Sequence, residues 1–81
     1  MFEQINEPIE VVVRFAVNQI LPVKFLWHGR EVIITKINLT YSKRDGRDKF
    51  YYFAVTDGAN YFKMQFNTES LIWTLLEVYS E

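Results

Sequence analysis

The chain reads as an all-β protein, a five- to six-stranded antiparallel meander curled into a partly closed barrel of SH3-like or OB-like type. Three observations predict it. Apolar side chains recur at every second position through most of the 81 residues, which is the pattern of half-buried strands. Asp45-Gly46 and Asp57-Gly58 stand between such runs, and Asp-Gly accepts the positive φ angles of a type I′ hairpin turn. Hydrophobic residues make up 49% of the chain and aromatics 17%, with no cysteine. A chain this short builds one core, and without disulfides or thiolate metal sites packing alone holds it together.

Taken in order, IEVVVRFAV places Ile9, Val11, Val13, Phe15 and Val17 on one side of a first strand, opposite Glu10 and Arg14. NQILP then reads as a turn, because Pro22 lacks the N–H that a central strand donates. In PVKFLWHGR, Val23, Phe25 and Trp27 share a face and Gly29 allows a reversal. EVIITKINLTY is rich in β-branched residues and aligns Ile33, Thr35, Ile37, Leu39 and Tyr41 along one long strand. A turn at Asp45-Gly46 leads into KFYYFAV, and a second of the same chemistry at Asp57-Gly58 leads into NYFKMQF, with Phe62, Met64 and Phe66 on one side.

The last segment admits two readings, a helical stripe of Leu71, Ile72, Leu75, Leu76 and Tyr79 or a strand. Its Val, Trp, Tyr and Thr content favours the strand. Residues 1–21 form an N-terminal strand and loop and residues 22–79 the remaining meander of a single domain. Several strands are apolar on both sides: Val32 and Ile34 oppose Ile33 and Ile37, and Phe50 and Tyr52 oppose Tyr51 and Phe53. One small sheet cannot cover both its faces, so it either rolls up or finds a partner, and a homodimer or other protein partner is expected.

Few chemistries have the residues they need. His28 is the only histidine, beside a turn, and reads as a solvent-facing strand-end residue. Asp45, Asp48, Asp57 and Glu69 lack the spacing of a calcium loop, so no metal site is expected. Gly29, Gly46 and Gly58 stand too far apart to cradle a phosphate. Neither an enzyme nor a cofactor is expected. Asn38-Leu39-Thr40 matches a glycosylation acceptor but reads as strand. MFEQINEPIE has no basic n-region, and no stretch approaches the ~20 apolar residues of a membrane span. A cytoplasmic protein without a membrane partner is the expectation.

Net charge is −1, yet Lys43, Arg44, Arg47 and Lys49 stand against Asp45 and Asp48 within seven residues, a local +2. Such a hairpin tip next to Tyr51 suits phosphates and an unpaired base, the combination used on single-stranded nucleic acid. A solvated tip that keeps the sheet soluble is the competing reading. Trp27 and Arg30 flank another turn and form a second candidate patch if Lys63 lies beside them. Arg30 has Glu31 and Asp57 as candidate ion-pair partners. KFYYFAV resembles the aromatic strand of RNA-recognition motifs, but lacks that motif's glycine and its two helices.

The spacing of PVKFLWHGR, FYYFAVTDGANYFKMQF and WTLLEVY resembles a family of small prokaryotic β-domain proteins classed as domains of unknown function, with a Trp-x-Gly-Arg turn, an aromatic strand and a final Trp-x-Leu strand. The resemblance runs from Pro22 to Tyr79. It implies a β-meander and a loose link to nucleic-acid transactions.

Overall fold

The computed structural model describes residues 1–80. It contains seven strands: β1 Phe2–Ala16, β2 Gln19–Trp27, β3 Arg30–Ile33, β4 Lys36–Asp45, β5 Asp48–Thr56, β6 Asn60–Asn67 and β7 Trp73–Ser80. They form one antiparallel sheet in the order β3-β2-β1-β7-β6-β5-β4. Two meanders, β1 to β3 and β4 to β7, are therefore joined edge to edge by β1 and β7, and no ladder links β3 to β4. The sheet stays open at that seam. The C-terminal segment is a strand, as its composition favours.

Seven strands replace the expected five or six because the long run Arg30 to Asp45 breaks at Ile34-Thr35. There the chain leaves one neighbour for another: Ile34 N–H donates to Val23 O at 2.9 Å and Thr35 N–H to Thr56 O at 2.9 Å. β1 makes the complementary switch, pairing with β7 through Phe2–Ile9 and with β2 through Glu10–Ala16. Strands that change partners at bends are how a sheet turns a corner and folds onto itself. The result encloses Phe25, Phe53, Val55, Phe62, Met64, Phe66, Trp73, Leu75 and Val78. Aromatic edges and faces interlock across this core, with Phe25 against Phe62 at 5.1 Å and Phe66 stacked on Trp73 at 4.6 Å.

Bulges correct several expected faces, since one extra residue flips every side chain after it. Val23 has no partner in the β1–β2 register, which turns Pro22 inward and leaves Val23 outside. Pro22 thus lies within β2, at a bulge, rather than in a turn. Asn38 is skipped between Ile37↔Val55 and Leu39↔Ala54. Leu39 is consequently 55% exposed, and the break at Ile34-Thr35 lets Val32, Ile34 and Ile37 all pack on the core while Ile33 is 50% exposed. Leu76 is passed over by both neighbours of β7, so the buried series is Trp73, Leu75 and Val78. Phe15 and Val17, expected inward, lie where β1 runs past the core toward the hairpin tip, and Phe15 is 71% exposed.

The turns also differ from expectation. Asp45 pairs with Asp48, so the loop is Gly46-Arg47, with positive φ at Gly46 (61°) and not at Arg47. This fits type II′, which needs only its first residue at positive φ, and spares Asp45 the strain type I′ imposes. The turn with positive φ at both central residues is His28-Gly29, at 52° and 73°. Asp57-Gly58 opens a longer connection, in which Asp57 Oδ1 accepts from the N–H of Ala59 at 2.9 Å and of Asn60 at 2.7 Å.

These bonds have a pH signature. Partial burial opposes ionisation of Asp57, but the hydrogen bonds from Asn60 and Ala59 outweigh it and hold the carboxyl below its ordinary 3.8. Asp57 therefore stabilises the fold fully above pH 3.8, and the contribution disappears as pH falls through the lowered value. Asp57→Asn should flatten the acid limb of a urea-midpoint against pH curve below pH 4 and leave the limb above pH 5 nearly parallel to wild type, at roughly the scale of a lost turn hydrogen bond.

Candidate nucleic-acid interface

Strand alternation divides the basic hairpin between two faces. Arg44 pairs with Lys49, and Ser42 with Tyr51, on the face that carries Phe53 inward. Lys49 Nζ lies 5.0 Å from the Tyr51 ring centroid. Tyr51 is half-buried and helps line an open cleft of about 710 Å³ between the β1–β2 and β4–β5 hairpins. Lys43 projects to the opposite, outer face and Arg47 sits in the turn. The four cations and Tyr51 thus occupy one hairpin but do not converge on one point.

Trp27 and Arg30 lie at the other end of the strands. They flank the His28-Gly29 turn and line, with Asp57 and Asn60, a cavity of about 240 Å³. At roughly 3.4 Å per residue, β5 separates this end from the hairpin tip by about 27 Å. Trp27 packs edge-on against Phe62 at 6.5 Å and against the His28 ring at 4.6 Å, and its Nε1 is buried without a partner. Arg30 makes no ion pair among the described residues: Glu31 bonds Lys24 at 3.2 Å, and Asp57 caps its own turn. Lys63 follows inward-facing Phe62 and points outward on β6, so it does not join Trp27 and Arg30 in one patch.

What Lys63 does join is an outer platform on β4, β5 and β6. Tyr41 and Tyr52 are register partners and stack at 4.9 Å with an 11° interplanar angle. Lys43 Nζ lies 5.9 and 5.6 Å from their ring centroids, and Lys63 Nζ 5.8 and 5.9 Å. Gln65 Nε2 donates to the Tyr52 hydroxyl at 3.1 Å and fixes that ring. Hydrogen bonding to Tyr41 raises the Lys63 ammonium above its ordinary 10.5 and outweighs the opposing effect of burial, with the charge interactions of Tyr41, Glu77 and Tyr52 adding to the rise. Lys63 is therefore charged throughout the physiological range.

Tyr41, Tyr52, Lys63 and Gln65 do not stand out as a group in the sequence, and the turn is the reason. A two-residue loop at Asp45-Gly46 would set Tyr41 opposite Phe50; moving it to Gly46-Arg47 sets Tyr41 opposite Tyr52. A second outer row, Phe2, Tyr79 and Tyr61, pairs across β1, β7 and β6 with all three exposed. Charge is segregated to match. Residues 36–67 hold six Lys and Arg against three Asp, a net +3, while the rest of the chain holds three against seven, a net −4.

Compared with protein-family models, curated proteins and solved structures, the chain finds no match in any of the three. Among the described residues no group of three or more His, Cys, Asp or Glu is placed to hold a metal ion, and no helix is long and apolar enough to cross a membrane.

Proposed function

We propose that the protein is a non-enzymatic module that associates with single-stranded nucleic acid through the outer face of β4, β5 and β6. The observation that carries this reading is the Tyr41–Tyr52 stack with Lys43 and Lys63 within 6 Å of both rings. Unpaired bases stack on such rings whatever their sequence, each at about 1–3 kcal/mol. Neighbouring ammonium groups neutralise phosphates and release counterions. Arg44, Arg47 and Lys49 extend the path of a strand past the hairpin tip, and the net +3 of this half draws it there. Asp45 and Asp48 hold that tip to +2 and keep its affinity moderate. Trp27 and Arg30 lie outside this path. The resemblance to small prokaryotic β-domain proteins and a cytoplasmic location belong to the same proposal. The test is fluorescence anisotropy of a labelled twelve-nucleotide oligo-dT at 50 and 200 mM salt: binding in the micromolar range that weakens steeply with salt supports the reading, and salt-insensitive or absent binding refutes it.

A second reading, self-association, is favoured by a different surface. Val12, Val23, Leu26 and Ile33 are exposed together on the outer side of β1, β2 and β3. A second copy covering this face gives a dimer whose assembly is independent of the basic hairpin. Ile33→Glu should then lower the mass seen by light scattering at 100 μM protein without changing the circular dichroism spectrum. Ile34 is unsuitable for that purpose, since it packs on the core. A monomer in wild type at that concentration rules the dimer out.

A further inference from the structure

The seam of the sheet is more than a gap. β3 pairs with β2 only through Lys24–Trp27, and Ile34 N–H takes Val23 O, so Gln19–Pro22 has β1 on one side and, among the described residues, no strand on the other. β4 likewise has β5 on one side and, among the described residues, no strand along its second edge. The chain crosses between them at Ile34-Thr35, and toward the hairpin tips the two edges diverge around the 710 Å³ cleft lined by Phe15, Ile20, Leu21, Thr40, Tyr51 and Phe53. An unpaired strand edge is a template for another strand. An apolar cleft beside it supplies what an edge alone lacks, a place for every second side chain of the incoming segment.

We propose that this seam takes up an extended acidic peptide segment as an added strand along β4. Charge selects the occupant. The β4 edge carries Lys36, Lys43 and Arg44, with Arg47 and Lys49 beside them and Asp45 and Asp48 at the turn. A second copy offering its own β4 would set like charges against like, which disfavours edge-to-edge pairing of two identical strands. A segment alternating Asp or Glu with Val, Ile or Leu fits instead: its apolar side chains enter the cleft, on the side of Thr40 and Ser42, and its carboxylates lie on the outer side with Lys36 and Lys43. The free run Asn38–Arg44, at about 3.4 Å per residue, matches a segment of roughly seven residues. Pro22 deprives the facing β2 edge of a donor, so β4 is the main template.

The experiment is a ¹⁵N-resolved NMR titration of the whole chain with an acetylated, amidated octapeptide of alternating glutamate and valine, against the same peptide with lysine in place of glutamate. The acidic peptide should shift the amides of Asn38–Arg44 and those of Gln19, Ile20, Leu21 and Val23, and bind at least tenfold more tightly than the lysine peptide. The variant Lys36→Glu/Lys43→Glu should invert that preference while its spectrum stays that of a folded protein. Equal binding of both peptides, or no shift in Gln19–Val23, overturns the proposal. So do shifts confined to Tyr52, Lys63 and Gln65, where the acidic chain would merely mimic a nucleic acid. Shifts of the seam amides on raising protein concentration alone would place a second copy there and also overturn it. Because oligonucleotide binding reads out on Lys63 and Gln65 of the outer face, each reading can fail without the other.

Discussion

Reversing the charge at Lys43 and Lys63 together, K43E/K63E, is expected to weaken oligo-dT binding on the order of a hundredfold, because each change removes a cation that neutralises a phosphate and installs a repulsive carboxylate. The dependence of log affinity on log salt should flatten by about 0.7 for each phosphate of the single strand that is no longer neutralised. Both side chains lie over the Tyr41–Tyr52 pair on the outer face, away from the core, so the urea midpoint should move far less than the binding. Tyr52→Ala complements the test: it removes a stacking surface and costs about 1–3 kcal/mol of binding at every salt concentration, with the slope unchanged. The two variants thus separate charge from stacking. A K43E/K63E protein that binds as tightly as wild type would rule out the outer platform as the binding surface.

The largest effect on stability is expected at Phe53. Its side chain is fully buried on the central part of β5, with its ring 5.4 Å from Trp73, and Met64 is its register partner on β6. Phe→Ala in a core costs about 3–5 kcal/mol, the transfer of the ring plus the cavity it leaves. At roughly 0.05–0.15 kcal/mol per residue, a chain of this length has a total stability of only about 4–12 kcal/mol. F53A should therefore lose at least about a quarter of the total stability and melt well below wild type, whereas Phe15→Ala, at a ring 71% exposed, should stay within about 0.5 kcal/mol of wild type. Thermal melts followed by circular dichroism compare the two. Equal melting temperatures would mean that the rolled sheet does not enclose the core described above.

The contrast between Phe53 and Phe15 marks how far alternation carries a reader of the sequence. Period-two spacing locates the strand-forming runs and aligns Phe62, Met64 and Phe66 on one face, but it reads β3 and β4 as a single strand. It fails at Val23, Asn38 and Leu76, the residues skipped in the ladders. A bulge is a mismatch between two strands, so it has no signature in one strand alone, and every face assignment beyond it inverts. That is why Leu39 reads as a core partner and lies outside. The break at Ile34-Thr35 acts in the same way on β3, so Ile33 lies outside and Ile34 inside.

The candidate site is legible in its composition and not in its geometry. Four cations and an aromatic strand stand out in any reading of residues 43–53. Which of them meet depends on register, and register depends on which two residues make the turn. Gly46 satisfies a type II′ turn alone, whereas type I′ would require Asp45 at positive φ as well. That local preference moves Tyr41 from Phe50 to Tyr52 and creates the stack. The partner across β6, Lys63, comes from a third strand and reaches the tyrosines only through tertiary pairing.

An amide and lysine side-chain NMR map of the chain titrated with oligo-dT discriminates best between the outer platform and every other surface. Shifts should concentrate on Tyr41, Lys43, Tyr52, Lys63 and Gln65, tapering along Arg44 and Arg47, with Val12, Leu26 and Ile33 unmoved. Shifts centred on the Trp27–Arg30 end, or spread evenly over the surface, would refute binding through the tyrosine stack.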